Sequence, residues 1–157
     1  MNDKIVNVLF AGIGGQGIIK ASDMLTEAAF RLGYDVKKSE LHGMSQRGGS
    51  VSSDVRFGKK VFSPMIPKGE ADYLVAVSED QIDVCGSYLK QDGIIIRPTD
   101  IDPQDAASKM LNIAMLGKLN SMLKFPEELW FELIRGTFKP EVAEANIAAF
   151  LRAQKGN

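Results

Sequence analysis

Near the N-terminus, the run Val8-Leu-Phe-Ala-Gly12-Ile-Gly14-Gly15-Gln16-Gly17-Ile-Ile-Lys20 passes from continuous apolar sequence through glycines into helical spacing. A strand that enters a helix through Gly12, Gly14 and Gly17 carries the G-x-G-x-x-G pattern in the context that gives it meaning. Glycine permits positive-φ turns and close backbone approach, and the helix start behind it offers unpaired N–H groups and the positive end of a dipole. Such a start can receive an anion. Few folds accept this arrangement other than an α/β sheet with a crossover helix.

The rest of the chain extends that reading. Ile5 to Ala11 is apolar throughout, as for a strand buried on both faces. Ile18, Ala21, Leu25, Ala28 and Leu32 recur at helical spacing, and Gly33 stands where a glycine cap belongs. Tyr34 to Glu40 reads as the second strand of a βαβ unit. A hairpin is expected from Val51–Arg56 and Lys60–Ser63 about Phe57-Gly58-Lys59, and Asp72–Val77 reads as the next core strand. Ser78-Glu-Asp-Gln81 has capping-box spacing and predicts a helix to about Lys90, followed by a strand over Ile94–Arg97. Helices are expected over Asp105–Leu123, Pro126–Arg135 and Pro140–Ala153. The predicted fold is a Rossmann-like, doubly wound α/β domain over residues 1–157. It has a mostly parallel sheet, a β-hairpin insertion and a helical C-terminal third.

A second cluster, His42-Gly43-Met44-Ser45-Gln46-Arg47-Gly48-Gly49-Ser50, follows the second predicted strand. Ligands bind in the crevice beyond the carboxyl ends of parallel strands, so both glycine clusters map to one edge of the sheet. Arg47 is the permanently charged fork of that cluster. His42, Ser45, Gln46 and Ser50 add donors, while Gly43, Gly48 and Gly49 let backbone amides face a ligand. Such a nest suits a phosphate, a carboxylate or another protein's backbone. For the first loop two readings stay open. One is a cofactor contact, with Glu40 at the distance where a dinucleotide fold places its ribose-binding acid; the other is close strand–helix packing.

Composition excludes several classes. With Lys+Arg 19 against Asp+Glu 20, no basic stripe points to nucleic acid. One cysteine, Cys85, cannot form an intrachain disulfide or ligate an iron–sulfur cluster alone, and one histidine makes no histidine-rich metal site. Cys85 reads as a small buried hydrophobe on a helix, and the methionines as core fillers. No apolar run approaches the roughly 20 residues of a membrane helix and Met1–Ile5 shows no leader pattern, so a cytoplasmic compartment is expected. No nucleophile–base pair or paired carboxylates stand in a motif, so no catalytic set is expected in this chain. Ser63-Pro-Met-Ile-Pro67, apolar and stiffened by proline, reads either as an ordered loop or as a protein-contact surface.

Taken in order, Ala11–Gly17, Ser39-Glu-Leu-His-Gly-Met-Ser-Gln-Arg-Gly-Gly-Ser50, Val55-Arg-Phe57 and Ser63–Pro67 resemble the gamma subunit of 2-oxoacid:ferredoxin oxidoreductases. The likeness is densest over residues 5–97, returns at Asn112-Ile-Ala-Met-Leu-Gly117, and is nearest to the small subunit of the indolepyruvate type. Gly14, Gly15, Gln16 and Gly17 match the first motif. His42, Gly43, Gln46, Arg47, Gly48, Gly49 and Ser50 match the second, while Ser45 stands where the family often has alanine.

The resemblance implies a division of labour. The enzymes decarboxylate a 2-oxoacid on thiamine diphosphate, pass electrons through 4Fe–4S clusters to ferredoxin and release an acyl-coenzyme A. Thiamine diphosphate and the clusters belong to larger partner subunits of a hetero-oligomer, and the gamma portion helps form the coenzyme A side of the cleft. On this basis Gly12, Gly14–Gly17, His42, Gln46–Gly49 and Ser50 are the candidate cofactor-facing residues, with no metal ligand among them. One departure stands out: Pro98–Pro103 passes almost directly into a helix where the family carries a longer stretch. Two rival readings are a self-contained NAD(P)- or flavin-binding domain, using Gly12, Gly14, Gly17 and Glu40, and a non-catalytic protein-binding module.

Overall fold

The structure, a computed structural model, describes residues 4–42 and 49–156. The chain divides into two compact units, residues 1–97 and 98–157. In the first, β1 (Val6–Ile13) leads through the glycine loop into α1 (Ile18–Arg31). β2 (Asp35–His42), β3 (Ser50–Gly58), β4 (Ala71–Ala76), the short α2 (Gln81–Cys85) and β5 (Leu89–Ile96) follow. The five strands lie in the order β2-β3-β1-β4-β5. β4 runs parallel to both β1 and β5, whereas β3 runs antiparallel to both β1 and β2.

β1 is the centre of this sheet because its residues are apolar on both faces. Val8 and Phe10 are buried on one side, and Leu9 and Ala11 join Ile66, Leu74, Ala76 and Cys85 on the other. α1 lies against β2 and β3, where Lys38 of β2 bonds Asp23 of the helix. The helix ends in a Schellman motif. Tyr34 N–H reaches the Ala29 carbonyl at 3.1 Å, Gly33 N–H reaches Phe30 at 3.0 Å, and Gly33 takes φ 92°. Tyr34 then meets Phe57 of β3 edge-on, with ring centroids 5.2 Å apart.

The opposite face carries α2 and the segment Ser63–Pro67, which is strapped down by two side chains of β3. Arg56 is buried. Its Nη1 donates to the carbonyls of Ser63 (2.9 Å) and Met65 (3.1 Å), and its Nε donates to Asn7 Oδ1 (2.8 Å). Asp54 accepts the Ile66 N–H at 2.9 Å.

The second unit holds α3 (Pro103–Ala106), α4 (Leu111–Leu123), α5 (Glu127–Thr137) and α6 (Pro140–Lys155). α4 and α6 cross at Gly117, where a Cβ would stand 2.1 Å from the Phe150 carbonyl oxygen. Trp130 of α5 packs between Phe125 and Phe150, with ring centroids 6.2 and 5.5 Å away. Asn120 closes the turn after α4 by bonding both the N–H and the carbonyl of Phe125.

The α/β architecture and the helical C-terminal region are as the sequence implies, but four local expectations are corrected. The reversal expected at Phe57-Gly58-Lys59 is absent: β3 runs straight through Gly58, and no strand forms over residues 60–63. Gly58 is there for space, since a Cβ would lie 3.0 Å from the Lys4 carbonyl. β3 instead pairs antiparallel with β2 on one side and β1 on the other, so two of the four strand pairings are antiparallel and the sheet is mixed rather than mostly parallel. β2 is therefore not the hydrogen-bonded neighbour of β1 that a closed βαβ unit requires, because β3 occupies that place. The helix expected to run to Lys90 stops at Cys85, and β5 begins at Leu89, where it pairs with Ala71. Ser78 bonds the Asp80 side chain, leaving α2 without a side-chain cap. The helix expected over Asp105–Leu123 breaks after Ala106, where Ser108 Oγ accepts the Met110 N–H and competes with the helical ladder.

Candidate functional site

The first glycine loop is a tight turn followed by an uncapped helix. Gln16 N–H closes on the Ile13 carbonyl at 3.1 Å, with Gly15 at φ 93° in the third position, where a type II turn wants glycine. Gln16 folds back, and its Oε1 accepts the Ile13 N–H at 2.7 Å. Gly12 makes room for that fold. A Cβ there would fall 2.7 Å from Gln16 Oε1 and 2.5 Å from Ile18 Cδ1. Gly17 starts α1 in the left-handed region (φ 77°, ψ 28°) with no side-chain cap.

The packing reading is thus realised at Gly12, and the open helix start leaves the anion reading standing. No acidic residue occupies the first turn of α1, where carboxylates ordinarily gather. Gly14, Gly15, Gly17 and Lys20 line a shallow cleft of about 300 Å³ at this helix start. An ammonium group, backbone amides and a helix dipole together suit phosphate or carboxylate oxygens. These residues fit the phosphates of a coenzyme A. A cluster does not fit: the chain has one cysteine, and among the described residues no three His, Cys, Asp or Glu side chains gather.

The structure joins the two glycine clusters. Gly14 N–H donates to the Gly49 carbonyl at 3.0 Å, and the register sets Ile13 opposite Ser50 and Gly12 opposite Val51. Gly14 and Gly49, one from each cluster, therefore meet at the edge where β1 and β2 end and β3 begins. The backbone of His42 ends β2 opposite Val51. Its side chain, and all of Gly43, Met44, Ser45, Gln46, Arg47 and Gly48, lie outside the described residues.

Glu40 does not join this edge as a ribose-binding acid. It bonds Lys38, which also bonds Asp23, and those two carboxylates hold the lysine pKa up against the opposing effect of its partial burial. With β3 between β2 and β1, the acid is carried a strand away from the first loop, at about 4.8 Å per strand. Cys85 is buried, and its thiol is pushed up by burial and by the neighbouring Asp54 charge, so it stays protonated and unreactive.

Sequence reading singled out Ser63–Pro67 on the opposite face but missed the Asp54 and Arg56 side chains that hold it. Asp54 is half-buried and its carboxyl is pushed up by burial, against the Ile66 N–H and the Arg56 charge, which lower it. The signal was available in Ser50–Gly58, where Asp54 and Arg56 alternate with Val55 and Phe57 along an inner strand.

The family descriptor "Pyruvate ferredoxin/flavodoxin oxidoreductase" matches residues 7–107, which hold both glycine loops and the strap. The chain belongs to this family. It is 38% identical over 125 residues to the indolepyruvate oxidoreductase subunit IorB of Thermococcus kodakarensis, covering 80% of this chain and 61% of that protein. The chain thus spans about three-fifths of the length of that curated relative. It is 28% identical to the pyruvate/ketoisovalerate oxidoreductases common subunit gamma of Pyrococcus furiosus, over 92% of this chain and 93% of the relative. Among solved folds, pyruvate oxidoreductase subunit PORC of Thermotoga maritima superposes with TM-score 0.79 at 24% identity, covering 98% and 97% of the two chains. The 2-oxoglutarate:ferredoxin oxidoreductase of Magnetococcus marinus gives TM-score 0.82 at 20% identity, over 98% of this chain but 31% of the longer one. These two likenesses establish a shared fold. Among the described residues, no helix is long and apolar enough to cross a membrane.

Proposed function

We propose that this chain is the small, gamma-type subunit of a heteromeric 2-oxoacid:ferredoxin oxidoreductase, with an aryl pyruvate such as indolepyruvate as first substrate and pyruvate as second. The complex acts on the oxo group of its donor with an iron–sulfur protein as acceptor. Thiamine diphosphate, when bound to a partner chain, supplies the chemistry that stabilises the carbanion left by decarboxylation. This chain shapes and charges one wall of the cleft. The observation that carries the reading is the Gly14–Gly49 hydrogen bond, which makes one edge of two family motifs. The open α1 start and Lys20 give that edge an attraction for the phosphates of coenzyme A, and Arg47 is assigned to an anionic group or a facing partner loop. The dinucleotide alternative is not favoured, because β3 separates Glu40 from the first loop.

Affinity purification of the tagged chain from an oxygen-free native extract, followed by iron and thiamine assays, tests this directly. A co-purifying larger chain carrying both is the expected result, and a lone chain carrying neither overturns the reading. In the recovered complex, Arg47→Ala is expected to weaken assembly or coenzyme A use about tenfold or more, the equivalent of a lost charge-assisted hydrogen bond of about 1.5–3 kcal/mol. Unchanged kinetics and stability would remove Arg47 from the site.

A further inference from the structure

β1 and β4 part where a side chain takes the place of a strand. Their parallel pairing ends at Ala11 and Ala76, with Val77 N–H on the Ala11 carbonyl at 2.8 Å. In a parallel ladder of this register the next donor is the Ile13 N–H, and its acceptor is the Val77 carbonyl. Gln16 Oε1 takes that donor instead, at 2.7 Å. The next peptide is held by the same residue, for the Gln16 main-chain N–H reaches the Ile13 carbonyl at 3.1 Å. Gln16 thus grips Ile13 at both its N–H and its carbonyl.

That grip has a direction. The Ile13 carbonyl and the Gly14 N–H belong to one planar peptide unit and point opposite ways. With the carbonyl fixed on Gln16, the Gly14 N–H is turned to Gly49, whose carbonyl it meets at 3.0 Å. Gly14 is exposed, so without the grip its amide would turn to water. Gln16 does not line the cleft formed by Gly14, Gly15, Gly17 and Lys20, and any influence it has there is indirect. The residue type follows from the same geometry. The side chain must accept a hydrogen bond beside a start suited to anions. A carboxylate would accept it but set a negative charge against phosphate oxygens, and asparagine is one methylene shorter. Glutamine combines the reach and the acceptor with no charge.

We propose that Gln16 is the positioning residue of the glycine edge: by clamping Ile13 it aims the Gly14 N–H at Gly49, sets the spacing of the two glycine clusters and so tightens binding of the coenzyme A phosphates. The proposal deepens the subunit reading above and rests on it for the ligand. Amide exchange of the full chain and steady-state kinetics of the recovered complex test it together. Gln16→Met keeps the length and loses the acceptor. It is expected to quicken Gly14 exchange about tenfold, as for one lost hydrogen bond, with Phe10 in the middle of β1 unchanged. The KM for coenzyme A should rise about fivefold or more while kcat changes less than about twofold. Gln16→Asn, with its shorter arm, should shift both in the same direction, and it decides the matter if the Met variant does not fold. Gln16→Glu restores an acceptor, so Gly14 protection should return, while its charge keeps the KM high. Wild-type Gly14 exchange in the Met and Asn variants overturns the proposal. So does faster exchange with an unchanged KM, or a Glu variant that fails to restore protection. A wild-type chain that recovers no partner overturns the subunit reading and the coenzyme A half of this proposal, while the exchange result still decides the clamp.

Discussion

Gly12 shows how one missing methyl group organises a loop. Its vacancy admits Gln16 Oε1, which satisfies the Ile13 N–H at the point where β1 ends. Gly12→Ala would push a Cβ against that oxygen and against Ile18, at an expected cost of about 1–3 kcal/mol in a urea unfolding midpoint. At the same scale, Asp105 is almost wholly buried and takes two bonds from Arg152, at 2.8 and 2.9 Å. The Arg152 hydrogen bonds hold its carboxyl below the usual range, against the opposing effect of burial. Because the folded value lies below the unfolded one, near 3.9, this stabilisation is complete at higher pH and is lost as pH falls through the folded value. Asp105→Asn should lower stability at pH 7 by about 1–2 kcal/mol, a figure discounted because Arg152 stands half in water. It should also flatten the acid limb of a stability–pH curve.

At the scale of elements, two close approaches decide the packing. Where α4 crosses α6, Gly117→Ala would drive a Cβ into the backbone of Phe150. The helices must part to admit it, so a loss of about 3 kcal/mol or more is expected, read by Trp130 fluorescence during unfolding. The strap depends on Arg56 instead. Arg56→Met would leave the Ser63 and Met65 carbonyls and the Asn7 side chain without their donor, and limited proteolysis within residues 62–67 should quicken several-fold. The elements that local pattern specifies were legible in the sequence. β1, α1 with its Gly33 cap, β4, α5 and α6 all form within a few residues of expectation. The elements decided by distant partners were not. β5 starts early because Ala71 pairs with Leu89, and Gly93 fits because a Cβ would lie 2.9 Å from the Ala71 carbonyl.

For the molecule as a whole, strand order is what the sequence conceals. A glycine loop after β1 and an acid at the end of β2 look like a dinucleotide site, and the insertion of β3 between them dissolves it. That β1 and β2 end at one edge was legible, because strand direction alone brings them there. The hydrogen bond that joins Gly14 to Gly49 was not, since it depends on Gly49 leading into a strand antiparallel to β1. A pocket beneath the strap was hidden for a related reason: Leu41, Asp54, Met65 and Tyr88 come from four separate segments.

The same strand order governs the chain during its synthesis. β1 emerges early, yet its antiparallel neighbour pairs Val6 with Phe57. At about 5–20 residues per second, Val6 and the apolar residues behind it wait on the order of 3–10 s for that neighbour to be made. Until then Val8, Leu9 and Phe10 have only α1 to cover them, on one side. β2 waits for the same strand, since its first residue, Asp35, pairs with Gly58 at the far end of β3. Until Gly49 and the strand behind it have been made, the first glycine loop lacks the carbonyl that ties its Gly14 N–H.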